Sequence, residues 1–326
     1  MLRTRLCDLL EIEHPIVQAG MGPFGSGAEL AAAVSNAGAL GSLGGTARSV
    51  EELRSQLGML RERTQRPYVV NFTQPWLQQS PESFDIALES RPAAISLALG
   101  DPGEFVDRAH GAGVLFIQQV HTVEQARRVA AHGVDVIIAQ GTEAGGFTGR
   151  VAGFVLVPQV VDAVSPIPVI AAGGIADGRG LAAALVLGAQ GVNVGTRFLA
   201  SAEAAVSDAW KQAIVNARSE DAVKVDVWDD IFPKPAGGAF DVVPRALRTA
   251  FIDEWQGRRG DARREAERLQ GEVGSGVMQG RMEQFVPFGG QSAGLVGDIR
   301  PAAEIIGALV REAEQALREA ERLVTS

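Results

Sequence analysis

Residues 139–149 read AQGTEAGGFTG, directly after the apolar run Val134-Asp135-Val136-Ile137-Ile138. A glycine-rich loop at the end of a buried strand lets backbone N–H groups approach a ligand closely. Gln140, Thr142, Glu143 and Thr148 can face that ligand, and Phe147 sets an apolar ring among them. Two more such loops follow, AAGGIADGRG from 171 and NVGTRF from 193. Their residues Gly173, Gly174, Gly195 and Thr196 suit a phosphate, held by backbone N–H groups and the start of a short helix. Taken singly, each of these glycines is equally a tight turn. Neutral amides stand at the other strand ends: Gln18, Asn71, Gln118, Gln119 and Gln140. Any one of them is readily a satisfied strand-end group. Together, neutral donors and acceptors around a phosphate suit a planar cofactor with carbonyls, ring nitrogens and one phosphate. FMN has those groups, and the protein then supplies placement while the flavin supplies redox chemistry.

The elements that must position these residues are repetitive. Short apolar runs at 15–19, 39–43, 68–72, 93–97, 114–120, 134–139, 169–171 and 191–194 read as strands. Helical patterns separate them at 27–36, 49–63, 81–89, 102–111, 122–132, 158–164, 178–187 and 203–216. Strands alternating with helices imply a parallel sheet covered on its outer face. Eight units in about 200 residues is the count of a (β/α)8 TIM-like barrel, with an open doubly wound sheet as the alternative. Active sites of such barrels lie at the strand carboxyl ends. The rhythm breaks after 217. Residues 1–216 are therefore expected to form the barrel and 217–290 a smaller, mostly helical insert after strand eight. Residues 291–326 are expected to return to the barrel and end in a helix. Pro233-Lys234-Pro235 and Gly237-Gly238 mark loops within the insert. The charge run at 254–269 reads as a solvated helix face or a partner surface. The apolar stripe of the last helix, at 301–324, suits packing on the barrel or a homodimer contact.

Composition narrows the function further. The net charge is −9, which argues against nucleic-acid binding through a basic face. One cysteine, Cys7, excludes an internal disulfide and points to a reducing compartment. The start, MLRTRLCDLLEIEHP, has no long apolar stretch of the signal-peptide kind. No apolar run reaches the roughly 18 residues of a spanning helix. A cytoplasmic enzyme acting on a small molecule is the expectation, without membrane or nucleic-acid partners. The mouth lacks a His/Asp/Glu cluster at metal-ligand spacing and a nucleophile elbow, so neither a metal site nor acyl-transfer chemistry is expected.

Several segments resemble one family in order along nearly the whole chain. They are PIVQAGMG at 15–22, VNF at 70–72, AQGTEAGGFTG at 139–149, AAGGIADGRGLAAALVLGAQGVNVGTRF at 171–198 and GGQSAGLVGDIRPAAEII at 289–306. They are similar to the FMN-dependent nitronate monooxygenase (2-nitropropane dioxygenase-like) family, and related FMN-dependent enoyl-ACP reductases share much of the pattern. The resemblance implies a TIM-like barrel with a helical insert after strand eight. It implies FMN contacts at Gln18, Ala19, Gly20, Met21, Asn71, Gln140, Gly145 and Gly146, to which Gln119 at the mouth is added. It places the phosphate on Gly173, Gly174, Gly195 and Thr196, and returns Gln291 and Ser292 to the mouth. NAD(P)H is a candidate reductant, and an enoyl reductase or a flavin-binding protein of reduced activity are the alternative functions.

One departure bears on chemistry. The resemblance implies a proton-transferring His where this chain has Phe147, and phenylalanine transfers no proton. Candidate substitutes are His121, at the end of strand five, and Glu143. His121 either points inward or lies at a helix start. Glu143 either transfers protons or holds its loop by accepting backbone N–H bonds. Ser292 can orient a substrate but is too weak an acid to replace histidine. A nitronate is already deprotonated, whereas a neutral nitroalkane needs a base. The expected nitro substrate is therefore the nitronate.

Overall fold

Successive side chains of a strand point to opposite faces, and this alternation organises the molecule. The computed structural model describes residues 2–233 and 241–324. Its strands are β1 (Ile16–Gln18), β2 (Gly41–Gly44), β3 (Tyr68–Thr73), β4 (Ala94–Ala98), β5 (Leu115–Val120), β6 (Val136–Gln140), β7 (Gly146–Thr148), β8 (Val169–Ala172), β9 (Gly191–Val194), β10 (Ala222–Lys224) and β11 (Val243–Leu247). The eight expected strands pair in parallel in the order β1-β9-β8-β6-β5-β4-β3-β2. A Val17–Leu40 bridge joins the two ends of that sheet. There the Gln18 N–H donates to the Leu40 carbonyl and the Leu40 N–H to the Ile16 carbonyl, both at 2.9 Å. The result is the TIM-like barrel.

Alternation divides the apolar residues into two sets. Val17, Leu40, Val69, Ala94, Ile117, Ile138 and Ile170 pack together inside, joined by Leu6, Cys7 and Leu10 of the first helix, Arg5–Leu10. That helix plugs the end of the barrel opposite the mouth. Ile16, Val70, Phe72, Ile95, Leu97, Phe116 and Ile137 face outward into the main core with the helices. Helix starts follow local capping chemistry. Ser49 and Thr122 accept the N–H of Glu52 and Gln125 at 3.2 and 3.1 Å.

Two expectations need correction. The helix expected from 158 starts at Gly153 and carries Pro158 inside it. The helix expected over 203–216 starts at Asp208, where Ser207 caps it. The insert is mostly helical as expected, and its β10 and β11 also form a three-stranded antiparallel sheet with β7. Strand β7 lies inside the AQGTEAGGFTG loop, with Phe147 opposite Pro244. A strand of three residues whose partner lies about a hundred residues away leaves no periodic signal. The charge run at 254–269 is spread over three helices, Ala250–Gln256, Arg259–Arg264 and Ala266–Met278, with a break at Gly257. Exposed ion pairs such as Arg258–Glu254 and Arg268–Glu272 lie along it. The expected loop at Lys234-Pro235 and Gly237-Gly238 falls outside the described residues. Among the described residues no helix is long and apolar enough to cross a membrane.

The last helix, Ala302–Glu321, buries Ile305, Ile306, Leu309 and Ala313. It packs on the helix Gly178–Val186. A Cβ at Gly178 would lie 2.3 Å from the Ala313 nitrogen, so the two helices meet there through backbone. Gly178→Ala should therefore cost about 1–3 kcal/mol of stability by forcing the helices apart. Gly58→Ala should instead stabilise by roughly 0.5–1 kcal/mol, because Gly58 lies in a helix with open space around its Cβ. Urea denaturation of both variants checks the pair of opposite signs.

Candidate functional site

The strand alternation that fills the barrel also sorts the amides at its mouth. A cavity of about 300 Å3 opens at the strand carboxyl ends, and Asn71, Gln119, Gln140 and Asn193 line it. Gln18 and Gln118 stand at outward positions and do not. Gln18 is 1% exposed, and its amide is spent on the wall. Its Nε2 donates to the Ser42 carbonyl at 3.0 Å and to Ser26 Oγ at 3.1 Å, and its Oε1 accepts the Ser42 N–H at 3.1 Å. Ser26 Oγ in turn accepts the Met21 N–H at 2.9 Å and donates to the Ala19 carbonyl at 3.1 Å. Gln18 thus shapes the Ala19-Gly20-Met21 loop from behind, while those three residues line the cavity. Gln118 Nε2 donates to the Gly100 carbonyl at 3.1 Å. Thr73 ends strand three and lines the cavity; Thr46 and Asn193 line it too and were not singled out in the sequence. For Asn193, counting by twos from the inward position Gly191 would have found it.

Glycines permit the close approaches that shape the wall. A Cβ at Gly20 would fall 2.1 Å from the Asn71 side chain. One at Gly145 would fall 2.7 Å from Gly290, and one at Gly290 would fall 2.7 Å from the Glu143 carbonyl. The GGQSAG segment therefore returns to the mouth through glycine-on-glycine contact. It is fastened on both sides: Gln291 N–H donates to the Glu143 carbonyl, and Gly290 N–H to Thr196 Oγ1, each at 2.9 Å. Ser292 lines the cavity as a result; the Gln291 side chain does not.

Gly173 and Gly174 adopt φ of +95° and +74°, a consecutive left-handed pair that side chains disfavour. They line the cavity beside Gly195 and Thr196. The N-terminus of the nearby helix Gly178–Val186 is already capped. Asp177 accepts the N–H groups of Arg179 and Gly180, and Glu312 accepts that of Gly178 at 2.9 Å. An anion in this cavity thus meets the Gly173-Gly174 turn and the Gly195-Thr196 segment, not the end of that helix.

Of the four residues weighed for the chemistry, the structure brings Phe147 and Ser292 to the wall and leaves the two proton-transfer candidates, His121 and Glu143, off it. Both oxygens of the Glu143 carboxylate accept the Gly153 N–H at 3.0 Å, so Glu143 holds its loop. His121 is neither at the surface nor at the wall. It is 2% exposed and lies behind Gln140, with Nε2 2.9 Å from Gln140 Oε1. Burial pushes its pKa down to about 4, outweighing its hydrogen bonds to Gln140 and the Phe147 backbone, while the charge of Lys224 lowers it further. Lys224, from the insert, donates to the Thr148 and Gly149 carbonyls at 2.8 and 2.9 Å. Burial, aided by the Arg245 charge, lowers its pKa to about 8. Among the described residues, none that lines the cavity is Asp, Glu, Lys, Arg, His, Cys or Tyr.

The remaining wall is apolar. Phe147 sits 5.9 Å from Phe288 and 6.1 Å from Trp228, ring centre to ring centre. Trp228 stacks on Phe232 at 4.4 Å. Phe24, Trp210 and Met282 line another stretch. Phe288 and Met282 from the insert thus join Phe24, Phe147 and Trp210 in an apolar part of the wall, with Trp228 packed against Phe147 and Phe288. The polar side fits a planar, multiply hydrogen-bonding group with one phosphate. It offers inward amides, the left-handed glycine pair and Asn193, whose buried Oδ1 lacks a partner among the described residues.

Comparison with known proteins shows what the whole chain is similar to. Residues 3–87 and 77–312 match the protein-family profile described as Nitronate monooxygenase. A Mycobacterium tuberculosis relative named (3aS,4S,5R,7aS)-5-hydroxy-7a-methyl-1-oxo-octahydro-1H-indene-4-carboxyl-CoA dehydrogenase is 34% identical over 354 residues, covering 99% of each chain. A Staphylococcus saprophyticus relative named "Probable nitronate monooxygenase" is 36% identical over 283 residues, covering 73% of this chain and 78% of that one. The solved structure of FabK from Thermotoga maritima superposes with a TM-score of 0.89 at 37% identity, covering 99% of this chain and 100% of that one.

The buried His121 makes stability depend on pH in one direction. Its folded pKa of about 4 lies below the ordinary 6.5, so the unfolded chain binds the proton first as pH falls. The contribution is complete above about pH 6.5 and is lost on acidification towards pH 4. Between pH 7 and 5 the wild type should lose up to about 2 kcal/mol more than His121→Gln, as read by urea denaturation at the two pH values.

Proposed function

Because the chain belongs to the nitronate monooxygenase family, we propose that it is an FMN-dependent oxidoreductase whose flavin occupies the cavity at the barrel mouth and whose nitro substrate is the nitronate. The observation that carries this reading is the uncharged wall: the described residues around the cavity include no group able to take a proton from carbon. A nitronate has already lost that proton, so its oxidation places no such demand on the protein.

FMN, when bound, supplies the electron transfer. The chain's own residues bind and orient. Gly173, Gly174, Gly195 and Thr196 hold the phosphate, by backbone N–H groups and the Thr196 hydroxyl. Ala19, Gly20, Met21, Asn71, Gln119, Gln140, Gly145 and Gly146 surround the ring. Gln18 and Gln291 act at one remove, the first by fixing the 19–21 loop, the second by fastening the return segment to Glu143. Ser292 and the amides offer donors to substrate oxygens. Phe147 and Phe288, backed by Trp228, exclude water from the substrate side and leave no acid there.

The aromatic side favours a second reading. A wall of Phe147, Phe288 and Met282 suits a bulky apolar substrate. The full-length relative named as a carboxyl-CoA dehydrogenase extends that to a carbon–carbon bond beside a thioester, with NAD(P)H or an acceptor as the redox partner.

The purified protein should carry a flavin absorption spectrum, and a colourless protein that takes up no FMN would overturn both readings. Anaerobic mixing separates them. Rapid bleaching by NADH or NADPH favours the second, and bleaching by a nitronate with little response to the nicotinamides favours the first. Under the first, a nitronate should turn over at least about 100-fold faster than its neutral nitroalkane, the range that general base catalysis spans. Phe147→His should narrow that gap by raising turnover of the neutral form; an unchanged ratio in steady-state assays would count against the role given to Phe147.

A further inference from the structure

We propose that His121 is a positioning residue that fixes the Gln140 carboxamide, so that Gln140 presents its amino group to an acceptor atom of the bound flavin ring. The inference rests on the reading that flavin occupies the cavity. It starts from two nitrogens that converge on one oxygen, His121 Nε2 being a donor in the tautomer that carries the ring proton there. Gln140 Oε1 lies 2.9 Å from His121 Nε2 and 3.3 Å from Gln119 Nε2. With its carbonyl oxygen turned to both, the Gln140 amide has its amino group left for the cavity that the residue lines. Turning the amide over would set its amino group against that of Gln119.

His121 is itself held on several sides. Its backbone N–H donates to Gln125 Oε1 at 2.7 Å. A Cβ at Gly149 would lie 2.7 Å from the His121 Cβ, so the chain passes too close for any side chain there. Lys224 fixes the Thr148 and Gly149 carbonyls from the other side. A buried ring with so little freedom holds Gln140 in one orientation before the ligand arrives, which is the role of a supporting layer behind a binding site. The ring is neutral at pH 7, so it acts through one N–H rather than as a cation. A donor aimed at the flavin ring stabilises the electron-rich reduced form more than the oxidised form.

The test is a double-mutant cycle read in the FMN-loaded protein by cofactor affinity, visible spectrum and midpoint potential. His121→Leu should bind FMN about fivefold more weakly and shift the potential to more negative values. His121→Gln, whose amide nitrogen can take the place of Nε2, should restore both. Gln140→Leu should show the loss by itself, and adding His121→Leu to it should change nothing further. If H121L does not fold, His121→Asn, which draws the donor back from Gln140, replaces it in the cycle. A flavin-loaded wild type with H121L unchanged in affinity, spectrum and potential overturns this inference and leaves the functional reading standing. So does an equal shift on adding H121L to Q140L. A wild type that takes up no FMN overturns the functional reading and the inference with it.

Discussion

The alternation of side chains along eight parallel strands is the constraint from which the rest follows. It sends Val17, Val69, Ile117 and Ile170 inward as a plug and Phe72, Phe116 and Ile137 outward under the helices. Two or four residues beyond inward positions on the barrel strands, the next inward positions are Asn71, Thr73, Gln119, Gln140 and Asn193. Apolar residues below and neutral polar residues above share one set of strands. The barrel therefore holds its site as rigidly as its core, and the polar groups that meet a ligand need little reorganisation to do so.

The second constraint is close backbone contact. Gly145 against Gly290, and Gly20 against Asn71, leave no room for a side chain. These contacts bring the loop after β1, the loop after β6 and the return segment into one wall. Charge is kept at a distance. Glu143, Lys224, Asp177 and Glu312 all sit nearby, and each is spent on a backbone carbonyl or N–H group. They brace the loops and leave the cavity surface uncharged.

Much of this was legible in the residues. The eight strand–helix units appear where the apolar runs stand, and most boundaries agree within a few positions. The amides were found by type but not by direction: grouping Gln18 and Gln118 with Asn71 and Gln119 ignored the period of two that separates them. His121 was read as inward or at a helix start; it directly precedes the cap Thr122, and its burial behind Gln140 was not foreseen, because cover by a neighbouring side chain leaves no mark on spacing. Glu143 was open between two roles, and the Gly153 N–H closes the question in favour of bracing. The sheet of β7, β10 and β11 was invisible, since its pairing joins segments far apart in the chain. The aromatic wall was hidden for the same reason: Phe147, Trp228 and Phe288 meet only after the insert has folded back.

The return segment has a consequence for the order in which this molecule matures. The barrel strands end at Val194, yet the cavity gains Ser292 and its Gly290 contact only from a stretch nearly a hundred residues later. A nascent chain can close its barrel while the ligand site still lacks one wall. The complete wall around the cavity therefore exists only once the segment around Gly290 and Ser292 has docked.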